Sequence, residues 1–315
     1  MKKTLAILAA AAMFAGAAAA QDTKVVIAIS GWTGFAPLTL AKEAGLYAKR
    51  GLDVTIKKVP QKDRHLVIAS GDVQCAATTV ETWIGWNASG VATTQIFQLD
   101  KSYGADGMVV KPGISKISDL KGKTVAADAP GTAPYFGLAW MLKKNGLSIK
   151  DVKVVNLSPQ AAANAMIAGT DGVDAAMTYE PYLSAVRAKP EAGKIIATTL
   201  DYPMVMDTFG CTPKFLTDNP KAAKALADGY FDAVAMIKAD PKKSFEIMGA
   251  DVKQTAEAFE GSQKYLRWQD REANLKFFAG EHAQFTKEAA DLLLEVGIIK
   301  AIPDLGKLAD TRFLK

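Results

Sequence analysis

Acidic and aromatic residues recur in the loops that follow the predicted strands. Ligands of α/β proteins bind beyond the carboxyl ends of the strands, so these side chains are candidates for one binding site. Carboxylates accept hydrogen bonds from guanidinium or ammonium groups, and each aromatic face adds about 0.5–2 kcal/mol of cation–π attraction. The pattern predicts a cleft for a small organic cation, formed by the acids Glu81, Asp106, Glu180 and Asp207 and the aromatic residues Trp32, Phe35, Trp83 and Tyr179.

The acids in this set are not expected to contribute equally. A monovalent cation needs one or two carboxylates, because further ones would repel each other or take up a proton. We expect Glu81 and Glu180 to bind the ligand, which leaves structural roles open for Asp106 or Asp207. Glu81 also has an alternative interpretation, since Thr78-x-x-Glu81 matches a capping box with Thr78 as the helix N-cap.

The amino terminus predicts export. Lys2 and Lys3 precede an uncharged, alanine-rich run that ends in Ala18-Ala19-Ala20, as in a secretory signal peptide cleaved after residue 20. This predicts a periplasmic protein of 295 residues (315 minus 20). The 38 basic and 33 acidic residues of the full 315-residue chain are spread along it, so no nucleic-acid-binding surface is expected.

The few cysteines and histidines predict neither a metal site nor catalysis. Cys75 and Cys211 lie in apolar, strand-like segments, and two buried free thiols are favoured over a disulfide, which an oxidising compartment would still allow. His65 and His282 have no nucleophile or metal partner at motif spacing and are expected on the surface. We therefore expect no cofactor and no enzymatic activity.

Hydrophobic periodicity predicts two α/β units followed by a helical region. The first has strands at 25–30, 52–59 and 73–77 and helices at 37–50 and 61–70; the second has strands at 107–111, 123–127, 152–156 and 173–179 and helices at 132–145 and 158–169. From residue 219 onward the chain reads as almost entirely helical. This order predicts parallel sheets covered by helices.

Two short, partly β-like connections, near 103–111 and 196–207, predict paired crossovers between the units. Such crossovers would form a hinge with a cleft beside it. The expected limits are 21–107 plus 206–315 for lobe I and 108–205 for lobe II, with residues 1–20 as the signal peptide.

Several segments carry a family resemblance in their order and spacing. They are FAPLTLAKEAGLY at 35–47, ASGDVQ at 69–74, ISDLKGK at 117–123, VVNLSP at 154–159 and Tyr179-Glu180-Pro181. Together they resemble the periplasmic substrate-binding proteins of ABC importers in the taurine, aliphatic-sulfonate and nitrate group. The resemblance implies a monomeric, type II-like clamshell that captures a small ligand and delivers it to membrane permease subunits.

The resemblance also bears on the ligand. In the family, the loop that matches 78–82 offers hydroxyl groups and amides to an anion; Thr79 fits this role, but Glu81 would meet the anion at close range. The loop that precedes the helix at 132, including Thr132, holds the acidic end of the ligand in the family. A taurine-, sulfonate- or nitrate-type ligand is therefore the alternative to a cation.

Two further functional classes remain open at this point. Some relatives of this fold that make the thiamine pyrimidine are enzymes, and other periplasmic receptors signal to a sensor kinase. Export argues against the first class, because those enzymes work inside cells. Nothing in the sequence separates a transport receptor from a signalling receptor.

Overall fold

Two β-sheets covered by helices organise residues 22–315, the part of the chain that the computed structural model describes. The predicted signal peptide lies outside these residues. In chain order the strands are β1 Thr23–Ile29, β2 Leu52–Lys58, β3 Cys75–Thr79, β4 Thr94–Ser102, β5 Asp106–Val110, β6 Thr124–Ala127, β7 Lys153–Asn156, β8 Ala175–Tyr179, β9 Lys194–Thr198, β10 Met206–Cys211 and β11 Leu266–Trp268.

The α-helices pack on the faces of the sheets and make up most of the carboxyl-terminal region. They are α1 Ala36–Glu43, α2 Arg64–Ala69, α3 Val80–Ala88, α4 Ala133–Lys144, α5 Pro159–Ile167, α6 Tyr182–Arg187, α7 Pro213–Asp218, α8 Pro220–Ala239, α9 Pro241–Asp251, α10 Ala256–Gln263, α11 Arg271–Lys276 and α12 His282–Glu295. Among the described residues, none of these helices is both long and apolar enough to cross a membrane.

Each sheet combines a parallel part with antiparallel crossover strands. The first sheet has the order β11-β4-β10-β3-β1-β2. In it, β1 pairs in parallel with β2 and β3, while the pairs β3–β10, β10–β4 and β4–β11 are antiparallel. The second has the order β7-β6-β8-β5-β9, in which only the pairs of β6 are parallel. The two-lobed α/β architecture with two β crossovers is confirmed, but the sheets are mixed rather than wholly parallel.

The crossovers run from β4 to β5 and from β9 to β10. The first sheet is thus built from residues 23–102 and 206–268, and the second from residues 106–198. We retain 21–107 plus 206–315 and 108–205 as the proposed limits of the two lobes. The helix α12 packs against both α3 and α4, so the carboxyl-terminal region contacts both lobes.

Strand β4 was not predicted, because buried polar residues interrupt its apolar pattern. Gln95, Gln98 and Asp100 are all completely buried within it. The predicted helix at 37–50 is wrong beyond Glu43, since Gly45 adopts φ +70° and ends the helical path. Both departures arise where tertiary contacts or a single glycine override local periodicity.

The expectation of free thiols is wrong, because Cys75 and Cys211 form a disulfide. The two residues are 136 positions apart in the sequence, but they face each other on the neighbouring strands β3 and β10. Both are fully buried. The adjacency of β3 and β10 depends on the chain order of the first sheet, which the sequence alone does not reveal.

Removing this disulfide should destabilise the protein without changing its binding site. For the double variant Cys75→Ala/Cys211→Ala we expect a loss of about 3 kcal/mol in the free energy of unfolding, because the bond closes a very long loop in the unfolded chain. Urea denaturation of the oxidised protein and the variant measures this difference. A loss below about 0.5 kcal/mol would show that the bond contributes little.

His282 was expected on the surface but is buried. Its ring packs beside Phe277 and Phe278, and Nε2 lies 3.2 Å from Gln95 Oε1. Burial lowers the pKa of this imidazole to about 4, so it is neutral at physiological pH. We assign it a structural role, since it joins the carboxyl-terminal helices to β4.

Candidate ligand-binding site

A small cavity lies between the two sheets, where the strands of both lobes end. Its volume is about 20 Å³, roughly the space of one water molecule. The two lobes are therefore closed on each other, and a ligand of several atoms requires them to move apart. The walls of the cavity are Ser30, Trp32, Phe35, Gln61, Arg64, Thr79, Asp106, Ala133, Tyr179, Val205 and Asp207.

The ten residues predicted from the sequence divide into three groups. Six line the cavity: Trp32, Phe35, Thr79, Asp106, Tyr179 and Asp207. Glu81 does not line it but contacts Thr79, which does. The remaining three, Trp83, Thr132 and Glu180, are directed to other partners.

Glu81 does not form the predicted capping box. The N-cap of α3 is Thr79 rather than Thr78, and its side chain makes no capping hydrogen bond. The Glu81 carboxylate instead accepts a hydrogen bond from the Thr79 hydroxyl through Oε1, while Oε2 has no hydrogen-bond partner. Glu81 is 1% exposed, so this free oxygen is buried directly behind the cavity wall.

Trp83 and Glu180 were expected to face the ligand, and the structure corrects both expectations. The Trp83 indole is buried in the core of the first lobe and donates to Thr208 Oγ1 at 2.7 Å. The Glu180 carboxylate forms an ion pair with Arg187 and accepts from the Ser184 backbone N–H at 3.1 Å. Local sequence places Trp83 in the helix after β3 and Glu180 directly after β8 but does not fix the direction of their side chains.

The loop before α4 approaches the cavity through its backbone rather than through Thr132. The Thr132 hydroxyl donates to the Ala129 carbonyl at 2.8 Å, within its own loop. Ala133, the next residue, lines the cavity, and its N–H donates to Gln61 Oε1 at 3.3 Å. The Gln61 amide also donates to Thr79 Oγ1 at 3.2 Å, so this side chain links the two lobes across the cavity.

Asp100 adds an acid that sequence reasoning missed. It lies on β4 opposite Asp207 on β10, and both side chains are buried. Trp32 Nε1 donates to Asp100 Oδ2 at 3.4 Å. A Cβ atom on Gly34 would overlap both the Asp100 carboxylate and the Trp32 indole, so only glycine fits there. The missing side chain at Gly34 thus makes room for the Asp100 carboxylate.

Four buried carboxyl groups therefore gather at and behind the cavity. Each retains one oxygen without a hydrogen-bond partner: Glu81 Oε2, Asp100 Oδ1, Asp106 Oδ2 and Asp207 Oδ2. Burying an unpaired ionised carboxylate is costly, so such groups tend to bind a proton or a cation. The cluster can therefore accept a positively charged group.

Burial raises the pKa values of all four acids. The pKa of Glu81 rises to about 8 and that of Asp106 to about 7, in both cases mainly through loss of hydration. Burial also raises the pKa of Asp207, and the negative charges of Asp100 and Asp106 add to this effect. In the ligand-free protein near neutral pH, the cluster consequently holds protons that a cationic guest would displace.

Arg64, the first residue of α2, supplies a buried positive charge at the cavity. It is 1% exposed, and its guanidinium donates to two backbone carbonyls, from Nε to Val59 at 2.9 Å and from Nη1 to Ala77. Its Nη2 has no hydrogen-bond partner. Burial lowers the pKa of Arg64 to about 10, so it remains charged at neutral pH.

Sequence reasoning missed Arg64 because the segment 61–70 reads as an ordinary amphipathic helix. The signal was its position, since Arg64 follows the loop at the carboxyl end of β2. Ligands of α/β proteins bind beyond the carboxyl ends of the strands, so this loop was a candidate on the same ground as the others. With Arg64 included, the cavity has unpaired groups of both charge signs.

The comparison with solved structures defines the class of fold. The alkanesulfonate-binding protein SsuA from Xanthomonas axonopodis pv. citri, bound to MOPS, superposes with a TM-score of 0.79 at 18% identity, over 93% of this chain and 100% of that chain. The periplasmic nitrate-binding protein NrtA from Synechocystis PCC 6803 gives 0.72 at 18% identity, over 89% and 83%. The chain has the two-lobed fold of the periplasmic binding proteins.

Sequence comparison defines the family. Residues 32–244 match the family described as NMT1/THI5 like. The Taurine-binding periplasmic protein of Escherichia coli (strain K12) is 30% identical over 234 residues, which cover 70% of this chain and 69% of that protein. The chain belongs to the NMT1/THI5-like family, and the predicted kinship with substrate-binding proteins of ABC importers is confirmed.

Proposed function

We propose that this protein is the solute-binding component of an ABC import system and that it captures a small zwitterion with an amine and a sulfonate, of the taurine class. The observation that carries the proposal is the presence of unpaired groups of both charge signs at one cavity. Arg64 Nη2 would bind the sulfonate, and the carboxylates of Asp106 and Asp207 would bind the amine. Glu81 would strengthen the negative potential from behind Thr79.

A zwitterion fits the cavity better than an ion of either sign alone. A guanidinium guest would place a second positive charge beside Arg64; two like charges about 4 Å apart repel by about 4 kcal/mol at an effective dielectric constant of 20. A simple anion would meet the same repulsion from Asp106 and Asp207. This proposal replaces the purely cationic ligand expected from the acids.

The relatives support the same ligand class. The relative that is 30% identical is named for taurine, and structural neighbours are named for alkanesulfonate and nitrate. Taurine carries both the sulfonate of one group and an amine that the carboxylates can accept. Trp32, Phe35 and Tyr179 would enclose its two methylene groups.

The small volume of the cavity indicates that ligand capture works by opening and closing of the two lobes. Ligand contacts from both lobes favour the closed form by their differential affinity for it, and the closed protein is then recognised by the permease subunits. We propose that the protein acts as a monomer in the periplasm after removal of residues 1–20. The Cys75–Cys211 disulfide supports an oxidising compartment.

A thermal-shift panel of taurine, ethanesulfonate, ethylamine, guanidine and nitrate tests this proposal. At a hundredfold excess over its dissociation constant, taurine is expected to raise the melting temperature by about 5 °C, and the other compounds by less. Taurine should be recovered unchanged after incubation, because a receptor binds its ligand without consuming it. A larger shift with guanidine or ethylamine than with taurine would contradict the proposal.

A further inference from the structure

A second, larger space lies outside the cavity. This outer groove has a volume of about 670 Å³ and is bordered by both lobes. Gly31 and the segment 251–254 contribute one side, and Tyr182, Ser184 and Ala185 contribute the other. Lys58 pairs there with Asp251 at 2.7 Å, and the exposed Lys253 adds another positive charge.

Three aromatic residues, Trp32, Tyr179 and Tyr182, lie between the outer groove and the cavity and form what we call the aromatic wall. In the first lobe, Trp32 borders the cavity and its neighbour Gly31 borders the groove. In the second lobe, Tyr179 borders the cavity and Tyr182 borders the groove. The Tyr179 ring lies 5.3 Å from that of Trp32 and 5.9 Å from that of Tyr182, so the three rings form a continuous series.

Tyr182 closes this wall against the first lobe. Its hydroxyl oxygen lies 3.6 Å from the position that a Cβ atom on Gly31 would occupy, which is van der Waals contact. The Tyr182 hydroxyl thus reaches from the second lobe to the backbone of the first lobe at Gly31. Because Tyr182 is only partly buried and sits at the first residue of α6, its ring is the part of the wall nearest to the groove.

We propose that Tyr182 is a specificity-determining residue that sets the upper length of the ligand. With Tyr182 in place, the lobes can close only over a guest short enough to remain behind the wall. Without the Tyr182 ring, only the Trp32–Tyr179 contact separates the cavity from the outer groove, and a longer aminosulfonate that displaces this contact can extend into the groove. This inference rests on the proposed function, since it concerns the ligand of the same site.

The test compares taurine with its homologue that has two more methylene groups. Dissociation constants are measured by calorimetry for the natural protein and for Tyr182→Ala. The natural protein is expected to prefer taurine by at least about tenfold, and Tyr182→Ala to reduce this preference by about tenfold. A preference that stays unchanged in Tyr182→Ala would overturn the proposal, and so would an equal loss of affinity for both compounds.

Two variants serve as matched controls. Tyr182→Phe keeps the ring and should keep the preference for taurine. Gly31→Ala adds a methyl group at an ordinary contact distance from Tyr182 and should also keep it. If Tyr182→Phe loses the preference as fully as Tyr182→Ala, the ring is not the length filter and the proposal fails.

A ligand-free measurement separates the failure of this inference from the failure of the proposed function. Quenching of tryptophan fluorescence by acrylamide reports access to Trp32, the residue of the wall that borders the cavity in the first lobe. Tyr182→Ala should increase the quenching, and the added substitution Trp32→Phe should remove that increase. If the natural protein binds neither aminosulfonate, the proposed function fails; if quenching is unchanged in Tyr182→Ala, the wall itself is disproved.

Discussion

Arg64→Gln is expected to weaken taurine binding by about 3 kcal/mol, roughly a hundredfold. The substitution removes the buried positive charge and with it the donor that faces the cavity. The same change should relieve the repulsion of cations, so guanidine should bind Arg64→Gln more tightly than it binds the natural protein. Calorimetric titration with both compounds measures this reversal of preference.

The matched control for this prediction is Arg187→Gln. Arg187 is also a largely buried arginine, but it pairs with Glu180 and donates to the Gly104 carbonyl instead of facing the cavity. Its loss should lower the free energy of unfolding while leaving the preference between taurine and guanidine unchanged. An equal change of preference in both variants would mean that Arg64 acts through general stability and not as a ligand contact.

The ligand-free protein is expected to lose stability as the pH rises from about 5 to about 8. The folded-state pKa values of Glu81 and Asp106, about 8 and about 7, lie above the values of exposed carboxyl groups. The folded state therefore binds more protons than the unfolded state in this range. The stabilisation is complete below about pH 4 and is lost progressively as the pH rises to about 7 for Asp106 and to about 8 for Glu81, by about 4 kcal/mol for each group.

Urea denaturation at several pH values measures this profile. Glu81→Gln should roughly halve its slope, because glutamine keeps the shape of the side chain and does not titrate, while Asp106 still does. Glu272→Gln, at an exposed position on α11, is the control and should leave the profile unchanged. A stability that increases between pH 5 and pH 8 would show that the buried carboxyl groups are already ionised and compensated.

Most helices and strands could be predicted from the sequence, because the hydrophobic periodicity that defines them lies within each short segment. The strands β1, β2 and β3 and the helices between them begin and end close to the predicted positions, apart from α1. The predicted strands of the second sheet also formed. By contrast, β4 and β11 were missed, since β4 carries buried Gln98 and Asp100 that only tertiary contacts explain, and β11 is three residues long.

The candidate site could be predicted by position but not by side-chain direction. Tyr179 lies at the cavity as the rule for the carboxyl ends of strands indicates. Asp106 and Asp207 lie near the starts of β5 and β10 and reach the cavity because these strands run antiparallel to β8 and β3. Chain position did not predict that Arg187 would neutralise Glu180, because that pair depends on α6, which ends at Arg187 and directs this side chain back to the segment just before its start. Sequence reasoning predicted a site with negative charges only, and Arg64 adds a positive charge to it. The Arg64 guanidinium is held at the cavity by a hydrogen bond to the carbonyl of Ala77 on β3.

The most direct test of the central claim is a calorimetric comparison of taurine with its two halves, ethanesulfonate and ethylamine. If Arg64 and the carboxylates bind opposite ends of one molecule, taurine should bind at least about a hundredfold more tightly than either half, because the second contact is made without a second loss of translational freedom. Ethylamine or ethanesulfonate binding as tightly as taurine would contradict a site for a zwitterion.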